Sequence, residues 1–544
     1  MSNWREQLTD EGGVHAVTTW LGQYYHYFAF VFLAAFAFWN RARNWENFAV
    51  GGEVLFRSND PWYHYRSTQY VVENFPETMP FDVWTYFPFG TSQAQFGTIF
   101  DQILATIALV IGLGSPSDEL VRHVVLFAPA LFGVAVLVPA YLIGRRFGGR
   151  FSGLIAVGII AIAPDGLLAR SVVGFSDHHV AEALFQALAV LGVIVALYVA
   201  QRERPVYELL ANREFGTLRR PLGWSILAGV GIGLYLWVWP PGVLLLGILG
   251  VFFLLHLSVQ AVKGESPEHT ALVGVVSLTT AGLMQLSTVN SLNISATSRS
   301  LLQPGLAFAV AFGCLFMAWF FRQWEARNQS RFTYPVAIGG ILLAAAALTA
   351  LILPDLFGYF VDQVLRVVGF QTSPTAGTVG EAQPLQDPSR LFDWYRLALF
   401  TAIAGVGIVL FRQYSHDHPS AGELLVVVWL VFLVAATFTQ ARFSYYLAVP
   451  VAVLTAVTTG VVMRYVGRVE DVTQVESYQV MVVVAVVLVT IAPLAWGGPA
   501  LAAVDGRSQP GGVVGWNDGL GFLSENTPAE GQLENPDGEA LELY

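Results

Sequence analysis

Long apolar runs separated by polar links make up most of the sequence. A helix needs about 20 predominantly apolar residues to cross the hydrocarbon core of a bilayer. By this criterion we predict an all-α polytopic membrane protein with about thirteen transmembrane helices. The approximate spans are residues 24–39, 121–143, 151–164, 180–199, 224–238, 243–257, 271–286, 306–320, 334–351, 395–410, 424–436, 445–462 and 480–496.

The assignment of one short apolar run decides on which side of the membrane the later links lie. Residues 103–112 are too few to span a bilayer, so we predict an interfacial helix inside an external loop. With the N-terminus in the cytoplasm, the later links that carry Arg or Lys then lie inside, as the positive-inside rule requires. Arg41 and Arg43, after the first span, are the exception. The basic residues of the inner links include Arg145, Arg146, Arg150, Arg202, Arg204, Arg219, Arg220, Lys263, Arg322, Arg327, Arg331, Arg412, Arg464 and Arg468.

The same topology collects the long polar segments on the external side. The predicted external loops are residues 41–120, 165–179, 287–303 and 354–394. We interpret residues 1–497 as one membrane domain. Residues 498–544 are rich in Glu, Asp, Gly and Pro, and we interpret this polar tail as the external start of a truncated soluble domain.

The composition supports the membrane assignment and also indicates the kind of environment in which the protein works. Only 12% of the residues are charged, against about 25% in soluble proteins, and mean hydropathy is +0.55. The net charge of −11 with very little Lys is typical of a salt-loving source, because a carboxylate-rich surface stays hydrated there. We expect no nucleic-acid partner. The single cysteine, Cys314, excludes an internal disulfide.

The segment GFSDHH at residues 174–179 places a carboxylate and two imidazoles at the mouth of a predicted membrane helix. Ionisable groups at that depth are costly and usually mark function. Asp177 and His179 can both ligate one divalent ion if the backbone is irregular there. The alternative is a polar loop whose histidines face water, and the other external motifs bear on this choice.

Three further polar motifs lie on the predicted external face. Asp60 lies in NDPWYHYR soon after the first span, Glu381 ends TVGE in the loop 354–394, and Arg442 lies in QARFSYY. Each has an ordinary alternative: a turn former before proline, a loop acid, and an arginine that extends to the membrane interface. A long loop without regular structure is usually functional or disordered.

In this order and on one predicted face, the four motifs resemble the catalytic subunit of N-linked oligosaccharyltransferases, specifically the archaeal single-subunit form of haloarchaeal type. The resemblance covers nearly the whole chain and includes a thirteen-span topology with the N-terminus inside. It implies a GT-C glycosyltransferase membrane domain with large external loops. Such an enzyme transfers a glycan from a dolichyl phosphate or diphosphate carrier to the Asn of Asn-x-Ser/Thr sequons, with inversion of the anomeric carbon.

The resemblance also implies roles for individual carboxylates. Asp60 and Glu381 would be catalytic and would accept the N–H bonds of the acceptor amide. A divalent metal, Mn²⁺ or Mg²⁺ with Zn²⁺ as a further option, would be held by Asp60, Asp177 and His179. One imidazole with two carboxylates suits Mn²⁺ or Zn²⁺ somewhat better than Mg²⁺.

The implied substrate-binding residues are Glu381, Arg442 and His178, with His178 at the lipid phosphate. The expected partners are the lipid-linked oligosaccharide, a sequon-containing polypeptide and the bilayer. The expected location is the cell membrane, with the catalytic face outside. The family's WWDYG motif, which holds the sequon, is not matched: GWNDG at residues 515–519 is only superficially similar.

Two other classes remain as alternatives. A different polyprenyl-phosphate-sugar-dependent enzyme, similar to protein O-mannosyltransferases, would share an external Asp in the first loop but generally not the TVGE and QARFSYY motifs. A secondary transporter would show internal repeats and broken helices near mid-membrane. The sequence contains no corresponding halves.

The predicted topology can be tested by side-specific labelling. We expect Thr378→Cys and Arg145→Cys, each in a chain without Cys314, to react with an impermeant thiol reagent from opposite sides of the membrane. The reason is that the Arg-rich links stay in the cytoplasm. Labelling of both positions from the same side would contradict the topology.

Overall fold

A computed structural model describes residues 11–92, 97–201, 206–289, 292–369, 380–466, 476–526, 533–534 and 540–541. Within these residues the fold is almost entirely helical, which confirms the predicted all-α class. The only strands in the described ranges form three two-residue antiparallel pairs. They are β1 (Ala49–Val50) with β2 (Glu53–Val54), β3 (Phe81–Asp82) with β4 (Thr91–Ser92), and β5 (Leu533–Glu534) with β6 (Ala540–Leu541).

The first half of the chain contains most of the elements that surround the external motifs. Its helices are α1 (Glu11–Ala42), α2 (Asp60–Asn74), α3 (Ile99–Ile111), α4 (Asp118–Ala135), α5 (Leu137–Gly148), α6 (Arg150–Ile162), α7 (Gly166–Arg170), α8 (His179–Ala200), α9 (Val206–Ala211), α10 (Phe215–Val238) and α11 (Val243–Lys263). The Pro-Pro-Gly sequence separates α10 from α11 and forms the short 3₁₀ helix Pro240–Gly242.

The second half continues the bundle and ends in shorter helices. Its helices are α12 (Glu268–Leu286), α13 (Leu302–Ala326), α14 (Tyr334–Ile352), α15 (Pro354–Val368), α16 (Ser389–Tyr395), α17 (Leu397–Ser415), α18 (Ala421–Thr439), α19 (Ala448–Val466), α20 (Ser477–Thr490), α21 (Ala492–Ala495), α22 (Pro499–Asp505) and α23 (Val513–Asn526). Further 3₁₀ helices lie at Trp45–Phe48, Arg331–Thr333, Gly380–Ala382 and Ala441–Tyr446.

In the described part of the chain, ten helices are long and apolar enough to cross a membrane. They coincide with ten of the predicted spans. The other three predicted spans fall on α1, which is not among the ten, and on the shorter apolar helices α6 and α20. The total of thirteen therefore stays a prediction. Residues 103–112 lie in α3, whose 13 residues extend only about 20 Å.

The core of the bundle lies around α8, α18 and α19. In the membrane-spanning windows of α18 and α19, 72% and 78% of the residues are buried, against 6% in the window that contains α14. The helices α5 and α19 cross in close contact at Gly148 and Gly460, where a Cβ on either glycine would overlap the other helix. Small residues at such crossings allow helices to pack closely without a gap in the core.

The buried contacts of Arg41 explain why this arginine departs from the positive-inside rule. Its guanidinium is fully buried and donates to the carbonyl oxygens of Ile160 (3.0 Å) and Ala161 (3.4 Å), and to Ser171 Oγ (2.8 Å). These carbonyls belong to the last turn of α6, where a helix has no internal donors. Arg41 is thus a structural cap for α6 and not a charge exposed in a loop.

The beginning of the predicted polar tail packs against the first external loop. Arg43 and Asn44 both donate to the Asp505 carboxylate, at 2.7 and 2.8 Å, and Asn47 donates to the Ser508 carbonyl at 3.0 Å. These contacts join residues more than 450 positions apart. The domain boundary at residue 497 stays a prediction, but α22 is attached to the membrane domain.

We expect Arg41→Gln to destabilise the fold. The substitution leaves buried carbonyls at the end of α6 without their charged donor, which costs about 2 kcal/mol. Thermal unfolding of the purified protein in detergent should therefore give a lower Tm. Arg43→Gln is the matched control, because it breaks a partly exposed ion pair worth about 1 kcal/mol or less. Equal Tm values for the two variants would contradict the capping role.

Candidate active site

An irregular turn presents the Asp-His-His sequence at the start of α8. Gly174 has φ +82°, and a Cβ there would overlap the Phe48 ring. Its amide donates to the Leu126 carbonyl (3.0 Å) and its carbonyl accepts from the Arg57 amide (3.1 Å). The glycine therefore lets the backbone turn tightly between two neighbouring segments before α8 begins. The turn directs the following carboxylate inward.

Asp177 is the centre of the cluster. The residue is 1% exposed, and its Oδ1 lies 2.8 Å from His178 Nδ1 and 3.6 Å from His64 Nε2. The other oxygen, Oδ2, contacts His179 Nδ1 and lies 3.9 Å from an Arg170 nitrogen. A buried carboxylate is costly unless positive groups surround it. Here three imidazoles and one guanidinium converge on a single acid.

Glu381 reaches the same cluster from the long external loop. Its Oε2 accepts a hydrogen bond from Arg170, and its Oε1 lies 3.9 Å from His179 Nε2. Glu381 belongs to the 3₁₀ helix Gly380–Ala382, which begins where the described part of the loop resumes. The preceding Thr378 and Val379 of the TVGE motif lie outside the described residues. Arg170 therefore links the predicted catalytic acid to the Asp177 turn.

His64 lies behind the cluster and was not identified from the sequence. It is 2% exposed, with its Nδ1 2.7 Å from an Asp101 oxygen and its Nε2 3.3 Å from His178 Nδ1. His64 is four residues after Asp60 on α2, which puts both on one helix face. This four-residue spacing from Asp60 was the sequence feature that could have identified His64.

The buried carboxylate of Glu182, one turn into α8, contacts the cluster through His178. His178 Nε2 lies 3.2 Å from Glu182 Oε1, while Tyr445 and Tyr446 donate their hydroxyl protons to Glu182 Oε2. The Tyr446 hydroxyl also lies 3.0 Å from that of Tyr235. Glu182 was missed from the sequence, although a lone acid in an apolar span is itself a signal.

Asp60 is close to the cluster but differs from it in exposure. It is the first residue of α2, next to Pro61, and is exposed. Surrounding protein partly desolvates its carboxylate, and Asp177 repels it; together they raise its pKa above the ordinary value. His64 acts in the opposite direction. Asp60 thus interacts electrostatically with the Asp177 cluster.

Arg442 lies on a different wall of the site. Its guanidinium carbon is 5.3 Å from the Phe443 ring centre and 5.8 Å from that of Trp239. It belongs to the 3₁₀ helix whose first residue, Ala441, donates its amide proton to the Gln383 carbonyl at 2.8 Å. Arg442 and the Glu381 segment are therefore neighbours, whereas within the described residues Arg442 forms no ion pair with Asp177.

The electrostatics keep the buried Asp177 and the partly exposed Glu381 ionised. Burial acts to raise the pKa of Asp177, but His179 and His178 hold it well below its usual range. Burial likewise acts to raise the pKa of Glu381, and His179 and Arg170 bring it below its ordinary value. Burial lowers and the Asp177 carboxylate raises the pKa of His178, with a net increase.

Two sets of three side chains have donor atoms within 4.8 Å of one another in the described residues. One set is His64, Asp177 and His178, and the other is His178, His179 and Glu182. Both Asp177 oxygens and His179 Nδ1 are buried without a hydrogen-bond partner of good geometry. Mixed imidazole and carboxylate donors with unsatisfied atoms fit a divalent cation. Asp60, a predicted ligand, is in neither set.

Comparison with known proteins agrees with this arrangement. The family model described as Oligosaccharyl transferase STT3, N-terminal, matches residues 24–496. This chain belongs to the STT3 family. The match contains Asp60, the Asp177 turn, Glu381 and Arg442, so all the predicted site residues lie in the part of the chain that has the STT3 pattern.

Several relatives that match most of this chain are archaeal. The chain is 37% identical over 586 aligned residues to the dolichyl-monophosphooligosaccharide–protein glycotransferase AglB of Haloferax volcanii, covering 93% of this chain and 55% of that protein. It superimposes on the oligosaccharyltransferase AglB of Archaeoglobus fulgidus, in complex with an inhibitory peptide and a dolichol-phosphate, with a TM-score of 0.80 and 25% identity. That match covers 94% of this chain and 59% of the other.

A second structure of the Archaeoglobus fulgidus oligosaccharyltransferase, in complex with Zn and sulfate, matches with a TM-score of 0.69 and 25% identity, covering 92% of this chain and 55% of that one. This STT3 chain thus has the GT-C membrane glycosyltransferase fold. It spans between 55 and 60% of the length of these relatives.

Arg170 is a third residue of the site, after His64 and Glu182, that the sequence analysis missed. It ends α7, seven residues before Asp177, and its guanidinium also lies 5.1 Å from the Phe175 ring centre. An arginine between an apolar run and an Asp-His-His sequence is a weak signal, because interfacial arginines are common. Its partner Glu381 is 211 residues away in the chain.

We expect His179→Ala to weaken binding of Mn²⁺ by at least about 10-fold, the scale of even indirect losses at metal sites. The purified protein would be titrated with Mn²⁺ and the free ion followed by electron paramagnetic resonance. His123→Ala is the matched control, because His123 on α4 contacts the Glu119 carbonyl and the Trp45 ring and belongs to neither set of clustered donor atoms. Equal Mn²⁺ affinities in both variants would remove His179 from the metal site.

Proposed function

We propose that this protein is a metal-dependent, inverting oligosaccharyltransferase. It would transfer a glycan from a dolichyl phosphate or diphosphate carrier to the Asn side chain of Asn-x-Ser/Thr sequons. The observation that carries the proposal is the convergence of Glu381 and the Asp177 turn through Arg170. Membership of the STT3 family and the names of the archaeal relatives support it.

The acceptor would be activated by two carboxylates. An amide nitrogen is a poor nucleophile because its lone pair is delocalised into the carbonyl. Asp60 and Glu381 would each accept an N–H hydrogen bond from the Asn side chain and turn its nitrogen out of conjugation. The low pKa of Glu381 suits this role, because only the ionised carboxylate accepts strongly. The new C–N bond would form as the bond from the anomeric carbon to the phosphate oxygen breaks.

The donor phosphate would bind beside the histidines. A divalent cation held by Asp177 and His179, with Asp60 as a further ligand, would neutralise charge on the leaving phosphate. A structure of the Archaeoglobus fulgidus oligosaccharyltransferase is a complex with Zn and sulfate, which supports a divalent metal for this chain. His178, which has a raised pKa, would donate to the phosphate, and Arg442 would bind the acceptor chain.

Arg170 would hold Glu381 in place. Its guanidinium contacts Glu381 and lies near Asp177, so it fixes the loop acid next to the Asp-His-His turn. Preorganised charges of this kind stabilise a transition state without further rearrangement. The active face would be extracellular with the N-terminus in the cytoplasm, in agreement with the Arg-rich links.

We expect Glu381→Gln to reduce turnover by about 10²-fold or more, because the variant keeps its size but loses the charge that polarises the amide. Binding of the dolichyl-linked donor should be retained. The assay is glycan transfer to a saturating Asn-x-Thr peptide.

Asp387→Asn is the matched control in the same loop. Asp387 accepts from the Ser389 amide at 2.9 Å and is exposed, away from the Asp177 cluster. Its turnover should equal that of the unmodified protein. A Glu381→Gln enzyme that is as active as this control would show that Glu381 is an ordinary loop acid.

A further inference from the structure

The end of the bundle opposite the active site contains a cavity of about 1520 Å³. The helix α8 connects the two ends: it begins at His179 in the site and ends at Ala200, about 33 Å away for 22 residues. The cavity is larger than the roughly 300–1,000 Å³ of typical small-molecule pockets. Its dimensions therefore suit a larger occupant.

The walls of the cavity are apolar over most of their depth. Leu188, Leu191 and Val195 on α8 face Leu227 and Leu234 on α10. From Phe185 to Tyr198, α8 lines the cavity over 14 residues, or about 20 Å. Leu227 is 54% exposed, which is costly in water but not beside a hydrocarbon chain. An apolar chain of lipid length would fill this space.

The mouth of the cavity carries an excess of positive charge. Four arginines line it, and its two acids are already paired: Glu423 with Arg412 at 2.6 Å and Glu265 with His418 at 2.6 Å. Arg145 and Arg464 form no ion pair with any carboxylate in the described part of the chain. The cavity thus combines apolar walls with more arginines than carboxylates.

Arg145 and Arg464 both lie near the crossing of α5 and α19. Arg145 precedes Gly148 by three residues on α5, and Arg464 follows Gly460 by four residues on α19. Because α5 and α19 are in contact at these glycines, the arginines stand about one turn from the crossing. The two arginines stand on opposite sides of the crossing and both line the same cavity, so an anionic head group at the mouth can lie between them.

We propose that this cavity binds one anionic phospholipid from the surrounding bilayer. Its acyl chains occupy the space between α8 and α10, and its phosphate lies at the mouth beside Arg145 and Arg464. Basic pockets between membrane helices bind anionic head groups in this way, whereas a zwitterionic lipid gains less from the arginines. The site is separate from the glycan-transfer site, so the proposal does not depend on the proposed function.

The test measures lipid retention on the purified protein by native mass spectrometry in a neutral detergent. Dioleoyl phosphatidylglycerol and dioleoyl phosphatidylcholine have the same chains and differ in net charge. We expect one phosphatidylglycerol to be retained at least about 10-fold more tightly than phosphatidylcholine. Equal retention of both lipids, or a polypeptide in place of lipid, would overturn the proposal.

Substitutions at the mouth distinguish the effect of lost charge on lipid retention from the effect of misfolding. Arg145→Gln with Arg464→Gln should lower phosphatidylglycerol retention to the phosphatidylcholine level, and Arg145→Lys with Arg464→Lys should keep it. Arg322→Gln with Arg331→Gln is the matched control: both arginines pair with acids outside the cavity. The same loss in the control, or no loss in the first double variant, would contradict the assigned site.

A substitution in the wall tests the position of the acyl chains. Val195→Trp fills the cavity and should abolish retention of both lipids. Val431→Trp, at a 57% exposed position on α18 outside the cavity, should have no effect. Retention that survives Val195→Trp would place the lipid elsewhere on the protein.

Discussion

The buried charge of Asp177 is the constraint on which the active-site end of the bundle depends. An ionised carboxylate without compensation costs several kcal/mol in a low-dielectric interior. Asp177 is compensated by residues from three separate parts of the chain: His64, Arg170 and the two histidines that follow it. The start of α8 adds to this, because the N-terminus of a helix favours negative charge. Each compensating residue is itself held by a further partner.

Those partners extend the network through the protein. Asp101 orients His64 from α3, and Glu182 contacts His178 from within α8. Glu182 in turn accepts from Tyr445 and Tyr446. A polar network in a membrane protein is stable only when its members find partners inside the fold. The position of the reactive groups therefore depends on α2, α3, α8 and the segment before α19 together.

The two ends of the bundle differ in chemistry for a related physical reason. At the active-site end, opposite charges pair with one another and bring distant loops together, as Arg170 does with Glu381. At the other end, arginines stand beside an apolar cavity, and two of them form no direct ion pair in the described residues. A protein can leave such cations without a direct ion pair where anionic lipid head groups are abundant. The Asp177 end is thus organised by internal ion pairs, whereas the opposite end has more arginines than carboxylates around an apolar cavity.

The sequence by itself determined the fold class, the bounds of most long helices and the residue types of the site. Run length and isolated charges are local properties, and they indicated Asp177 and His179 as candidate site residues, whereas Asp60 and Glu381 became candidates through the resemblance of their motifs to a known family. The tertiary structure alone decided that Arg170 contacts Glu381 across 211 positions and that Arg41 caps α6. It also joined Glu182 to tyrosines more than 260 positions away. Such contacts depend on how helices pack, and a linear pattern of apolar and polar residues does not specify which distant side chains meet.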